Sequence, residues 1–221
     1  MSTWRTIIQV DAFTATPCTG NAAAVVPDAG GLDPVQMQRI AREMNLSETA
    51  FILPSDQADF RLRWWTPTVE VPLCGHATVA ACHALAELGR LAVPGAYRIE
   101  TASGVLAVAL EPSPDGPCQV WLDIPIPAFE ASALPLPALA GALRVDERSF
   151  VADMLPVRGG DYLYLAFNKL TELLSLRPDL TALEYLSHAH DVRGFACWTR
   201  GGVSPESALH LRFFAPAVGI A

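Results

Sequence analysis

Residues 75–89 read GHATVAACHALAELG. Beyond His76, only Thr78, His83 and Glu87 interrupt a run of Ala, Val, Cys and Leu, and Gly89 supplies a stop. A helix that is apolar nearly all round cannot bury a single stripe; it is enclosed on most of its sides. The segments around it are short and strand-like. FRLRWW (60–65) alternates Phe60, Leu62 and Trp64 with Arg61, Arg63 and Trp65, and YRIETASGVLAVALEP (97–112) reads as a hairpin turning at Ser103-Gly104. Together they predict an α+β fold with a central helix at 76–88 wrapped by a strongly curved sheet.

Upstream, RTIIQVDAF (5–13) and AAAVV (22–26) read as strands joined by PCTGN (17–21), where Gly20 is free to take a positive φ. DPVQMQRIAREM then predicts a helix. Asp33 caps it, Pro34 suits its first position, and Met37, Ile40, Ala41 and Met44 face inward. Downstream, PSPDGP (112–117) holds three prolines and a glycine in six residues and marks a linker. It divides the chain into an N-terminal half, 1–112, and a C-terminal half, 117–221. In the second half CQVWLDIP, DYLYLAF, GFACWTR and SALHLRFFAP read as strands and PDLTALEYLSHAH as a helix. LRWWTP at 62–67 returns as LRFFAP at 211–216, an echo that suggests two related halves.

Composition narrows the function. Of 221 residues, 51% are hydrophobic and 17% charged, so a sizeable core is easily buried. A net charge of -8 leaves no basic surface for nucleic acid. Five cysteines without a C-x-x-C pair fit reduced thiols in a cytoplasmic protein better than a disulfide framework. The start lacks the pattern of a signal peptide, and no apolar run approaches the roughly 20 residues of a membrane helix. No phosphate loop, dinucleotide fingerprint or G-x-S-x-G elbow is present, so the residues suggest no cofactor.

Two places carry possible chemistry. In NLSETAF (45–51), Glu48 stands between helical and strand signals. It reads either as a solvated loop glutamate or as a general base at the lip of a buried site. In LCGHAT (73–78), Gly75 and His76 open the apolar helix, whose unpaired N–H groups suit a carboxylate; equally, Gly75 makes a tight turn and His76 a cap. Cys74 is either an activated thiolate or a small buried hydrophobe. Asn21 either points its amide into a site or holds a turn. His188-Ala189-His190-Asp191 has the look of a ligand cluster, but it ends a helix where histidines favour the dipole, and metal is not expected.

VDAFTATPCTGNAAAVV (10–26), IAREMNLSETAFIL (40–53), LRWWTPTVEVPLCGHATVAACHAL (62–85) and the closing LRFFAPAVGI (211–220) together resemble the phenazine biosynthesis PhzF-like family. The resemblance implies a diaminopimelate epimerase-like fold: two pseudo-symmetric halves, each an antiparallel sheet curled around a central helix. It implies a homodimer and a cofactor-independent isomerase that moves a proton at carbon on a small carboxylate-bearing metabolite. By the same resemblance Glu48 is the acid and base, Gly75 and His76 contact the substrate, and Ser47 stands beside it; Asn21 is a substrate-binding candidate on the residue reading alone. The family continues past the FFAP block with Asp-Pro-Val-Thr-Gly-Ser-Ala and a further helix, whereas this sequence stops at Ala221, so the second central helix is expected to be missing and activity to be low. Two other functions stay open: a racemase or epimerase working through Cys74, and a binding protein that retains only the first half-site.

Overall fold

The computed structural model of the chain describes residues 4–220 other than 115 and 125. It divides into two units at residues 125/126. The expected linker at 112–117 lies inside the first unit. Its flanks are strands of one hairpin, with Ser113 paired to Gly116; prolines and glycine there serve a tight reversal (residue 115 lies outside the described ones).

In the first unit, β1 (Ile8–Ala12) and β2 (Asn21–Val26) form an antiparallel pair in register from Ile8↔Val25 to Ala12↔Asn21. Between them the positive φ angles fall on Phe13 and Cys18, at 64° and 63°, and not on Gly20. The Asp11 carboxylate accepts the Cys18 N–H at 2.6 Å and holds that turn. Gly20 is required for space instead: a Cβ there would strike the Ala12 carbonyl oxygen and lie 2.6 Å from Thr14 Cγ2.

Helix α1 (Pro34–Met44) starts as the sequence predicts, with a reciprocal capping box. The Gln36 N–H donates to Asp33 Oδ1 at 2.8 Å and the Asp33 N–H to Gln36 Oε1 at 3.0 Å. Met37 and Ala41 are buried against Phe51 and Trp65. Asn45 ends the helix in the left-handed region at φ 51°, which its short amide side chain tolerates. That reversal feeds the chain directly into β3 (Glu48–Leu53).

β3 pairs antiparallel with β4 (Phe60–Trp65), and the two-residue β5 (Glu70–Val71) returns onto β4. Then comes helix α2 (Gly75–Glu87), followed by β6 (Gly95–Thr101), β7 (Gly104–Ser113) and β8 (Gly116–Leu122). The strand order is β1-β2-β3-β4-β6-β7-β8, with β5 attached to β4. Strands at both ends of that order, β1 and β8, pack on α2, as do β2 and β3; the sheet therefore curls around the helix. Ala77, Ala80, Ala81 and Cys82 are fully buried, as the apolar run requires. Small side chains let the strands approach on most sides. The helix ends in a Schellman motif, with the Arg90 N–H on Leu85 O at 2.9 Å, the Gly89 N–H on Ala86 O at 2.9 Å, and Gly89 at φ 66°. Among the described residues β1 and β8 do not pair with each other, and a groove of about 1060 Å3 of mixed lining, with Asp11, His83 and Glu87 beside Ile8, Val79 and Val120, runs between them along α2.

The sheets are not purely antiparallel. β2 and β3 run parallel across α1, and β4 and β6 run parallel across α2, because a helical crossover returns the chain in its original direction.

The second unit repeats part of this plan. It holds β9 (Phe129–Ala131), α3 (Leu136–Leu143), β10 (Val157–Gly159), β11 (Tyr162–Ala166), α4 (Leu170–Ser175), α5 (Leu180–His190), β12 (Gly194–Arg200) and β13 (Leu209–Phe214). The order is β13-β12-β11-β10-β9, with β11 and β12 parallel across α4 and α5. Thus β11-helix-β12-β13 matches β2-helix-β3-β4, and the two echoed motifs close corresponding strands. Leu163, Leu165, Phe195, Cys197 and Phe214 form one core with Leu139, Leu143, Leu173, Leu183 and Leu186 from the helices. On the opposite face Tyr164 meets Phe129 edge-on and Tyr162 meets Phe213. Helices α3 and α4 escape the sequence reading because both are short, eight and six residues, and α3 sits among prolines. No described helix is long and apolar enough to cross a membrane.

Candidate active site

The site lies where the start of β3 meets the start of α2. Glu48 is the first residue of β3, not a loop residue, and is 7% exposed. Alternation along β3 places Glu48, Ala50 and Ile52 on the α2 side, while Phe51 packs under α1. Pairing of Ala23 with Glu48 fixes its height in the sheet.

Three local devices bring α2 to it. Thr66 Oγ1 accepts the N–H groups of Thr68 and Val69, at 3.2 and 3.0 Å, and turns the chain after β4. A two-pronged Arg63–Glu70 pair, at 2.6 and 2.7 Å, clamps β5 onto β4. Finally the Cys74 carbonyl accepts both the Thr78 N–H at 3.1 Å and the Thr78 hydroxyl at 2.6 Å, which locks the first helical turn.

His76 is the hub. Its Nε2 lies 3.4 Å from Glu48 Oε2 and 3.2 Å from Ser47 Oγ, and its Nδ1 lies 3.4 Å from Cys74 Sγ. Glu48 Oε2 is buried and makes no hydrogen bond, so the 3.4 Å approach is an ion-pair distance without alignment. An unsatisfied buried carboxylate oxygen is costly to maintain and is characteristic of a group held ready for a ligand. A Cβ at Gly75 would come near only Ile124 Cδ1, at 3.7 Å. The missing side chain there is therefore not demanded by packing, and it opens the N–H groups at the start of α2.

Burial pushes the His76 pKa below its ordinary value, against the opposing pull of Glu48 and of the Ala22 carbonyl. Burial, reinforced by the Glu48 charge, pushes the Cys74 thiol well above its ordinary range, so it is a protonated thiol rather than a thiolate. The imidazole is the group whose protonation links folding to pH. Above the ordinary value of 6.5, His76 is neutral in both folded and unfolded chains. As pH falls below 6.5, the unfolded chain takes up a proton that the folded chain resists, so stability is lost until the folded value is reached. The expected outcome is a shallower loss of stability below pH 6.5 in His76→Gln than in the parent, read from urea midpoints across pH.

Of the residues the sequence singles out, the structure brings Glu48, His76, Ser47, Gly75 and Cys74 together. Asn21 opens β2 on the same face as Ala23 and Glu48, but its side chain is exposed and hydrogen-bonds to none of them. His188 and His190 are exposed at the end of α5, as the dipole reading expects. Among the described residues the candidate metal-ligating group is Glu48, Cys74 and His76, with donor atoms within 4.8 Å of one another. Cys74 Sγ lies 3.4 Å from Nδ1 and Glu48 Oε2 lies 3.4 Å from Nε2. Sequence reasoning did not anticipate the Ala22 carbonyl beside His76; only the pairing of β2 with β3 supplies it.

The chain is 38% identical to "Uncharacterized isomerase YddE" of Escherichia coli O157:H7, across 97% of this chain and 72% of that protein. It is 34% identical to the trans-2,3-dihydro-3-hydroxyanthranilate isomerase of Pseudomonas fluorescens, across 96% and 72%. Its structure superposes on the crystal structure of the Bacillus anthracis phenazine biosynthesis protein of the PhzF family with a TM-score of 0.85 and 28% identity, covering 96% of this chain and 73% of that one. The family model described as phenazine biosynthesis-like protein matches residues 10–221, and the chain belongs to that family, PhzC-PhzF.

Proposed function

We propose that this protein is a cofactor-independent isomerase that moves a proton between carbons of a small carboxylate-bearing metabolite, with Glu48 as base and then acid. The observation that carries this reading is Glu48 Oε2, buried, without a hydrogen bond, beside His76 at an open helix N-terminus. The Glu48 carboxylate takes a proton from carbon, and the C–H electron pair enters the adjacent π system. Protonated Glu48 returns the proton at another carbon of the same system, so atoms and electrons balance without a redox partner. Gly75 admits the substrate carboxylate to the N–H groups of α2, and the His76 imidazole hydrogen-bonds the reacting assembly. A mechanism through Cys74 as base fits less well, because its thiol is held protonated. The P. fluorescens relative makes trans-2,3-dihydro-3-hydroxyanthranilate the first compound to test.

Incubated in deuterium oxide with that compound and a panel of small unsaturated amino and hydroxy acids, the protein should incorporate deuterium at carbon in at least one, read by mass spectrometry. No incorporation in any, with tight binding of one, would favour a binding protein instead. The reading also includes a cytoplasmic homodimer, for which light scattering should return twice the mass of the chain.

A further inference from the structure

Cys74 holds the position that caps α2, yet its side chain makes no capping hydrogen bond. Its backbone is extended, at φ -145° and ψ 113°, and its carbonyl is pinned by Thr78. The sulfur lies 3.4 Å from His76 Nδ1, within the reach of a thiol hydrogen bond, and also meets the Glu48 carboxylate and the Ala77 and His76 N–H groups. Around the other nitrogen stand Glu48 Oε2 at 3.4 Å, an acceptor, and Ser47 Oγ at 3.2 Å, a hydroxyl that can accept or donate. A neutral imidazole carries one N–H and one lone pair. With the proton on Nδ1, the Nε2 lone pair would face a carboxylate oxygen 3.4 Å away, and the thiol would be left as a weak acceptor. With the proton on Nε2, the ring N–H faces Glu48 Oε2 and Ser47 Oγ, and the Nδ1 lone pair faces the thiol.

We propose that Cys74 is a positioning residue: its S–H donates to His76 Nδ1 and fixes the imidazole in the tautomer whose Nε2–H faces Glu48 and Ser47. A thiol that burial keeps protonated is suited to this, since a thiolate could only accept. The sequence Cys-Gly-His supplies both ends of the bond: Gly75 at the first helical position lets residues 74 and 76 face each other without an intervening side chain. The value of the tautomer for catalysis rests on the proposed role of Glu48, but the tautomer itself does not.

The test is a two-bond proton–nitrogen correlation spectrum of protein labelled at histidine, taken at pH 8, with the His76 signals assigned by their loss in His76→Gln. The parent should show the Nε2–H pattern alone. Cys74→Ala should lose that single pattern in favour of both tautomers and turn over more slowly, while Cys74→Ser, which keeps a donor, should restore it. A parent spectrum with the proton on Nδ1 overturns the proposal without any variant, and so does an unchanged pattern in Cys74→Ala. If Glu48→Gln leaves deuterium incorporation intact, the catalytic reading fails while the tautomer result stands, so the two failures are separable.

Discussion

Replacing Glu48 by glutamine is expected to slow proton transfer at carbon by about a hundred- to ten-thousand-fold, the range that one positioned acid/base contributes. The substitution changes one atom and almost no volume. Glu48 Oε2 has no hydrogen bond to lose, so the amide replaces it without breaking a network. The neighbouring imidazole is held toward its neutral form, so no buried cation is left unpaired when the carboxylate goes. The fold should therefore persist, with an unchanged circular dichroism spectrum and a melting temperature close to that of the parent, while deuterium incorporation falls. A rate within tenfold of the parent would remove Glu48 from the reaction.

The second large effect concerns stability. Trp64 is fully buried on the α2 side of β4, among Leu62, Val71 and the small residues of the helix. Trp64→Ala deletes the whole indole from a site walled by a curled sheet and an enclosed helix, neither of which can collapse inward without breaking strand pairing. The expected cost is about 3–5 kcal/mol, a large part of the roughly 5–15 kcal/mol that holds a domain folded. Trp64→Phe should cost much less, because the indole N–H has no hydrogen-bond partner to forfeit. Urea unfolding of the two variants checks both statements. Equal losses would show that the indole nitrogen, and not the packing of the ring, sets the cost.

Both predictions draw on residues that were visible in the sequence to different degrees. The apolar run after His76 had only one physical outcome, a helix enclosed on most sides, and the structure wraps β1, β2, β3 and β8 around it. The capping box at Asp33 and Gln36 and the stop at Gly89 are short-range chemistry, and each formed where the residues placed it; the hairpin formed one residue earlier than expected, with Thr101 paired to Gly104 and the turn at 102–103. The echo of LRWWTP in LRFFAP pointed to related halves, and the two motifs do close matching strands. Where the sequence misled, the deciding contact was distant. PSPDGP has the composition of a linker, but whether such a turn separates domains depends on whether its flanking strands pair. Gly20 was read for its φ, whereas its need arises from the Ala12 carbonyl opposite, which only the β1–β2 register reveals.

The same division runs through the site. Residue types and local spacing determined that a carboxylate precedes an apolar strand and that a Cys-Gly-His turn opens an apolar helix. They could not say that these two points, 28 residues apart between Glu48 and His76, share one space. Parallel pairing across α1 sets Ala23 against Glu48, and the clamp of Arg63 on Glu70 aims the following turn at it. Burial of Glu48, the lone Oε2 and the downward shift of His76 follow from that meeting. Periodicity, caps and turns are properties of neighbouring residues and are written in the chain. Desolvation and donor–acceptor geometry belong to groups brought together by the sheet, and only the tertiary structure decides them.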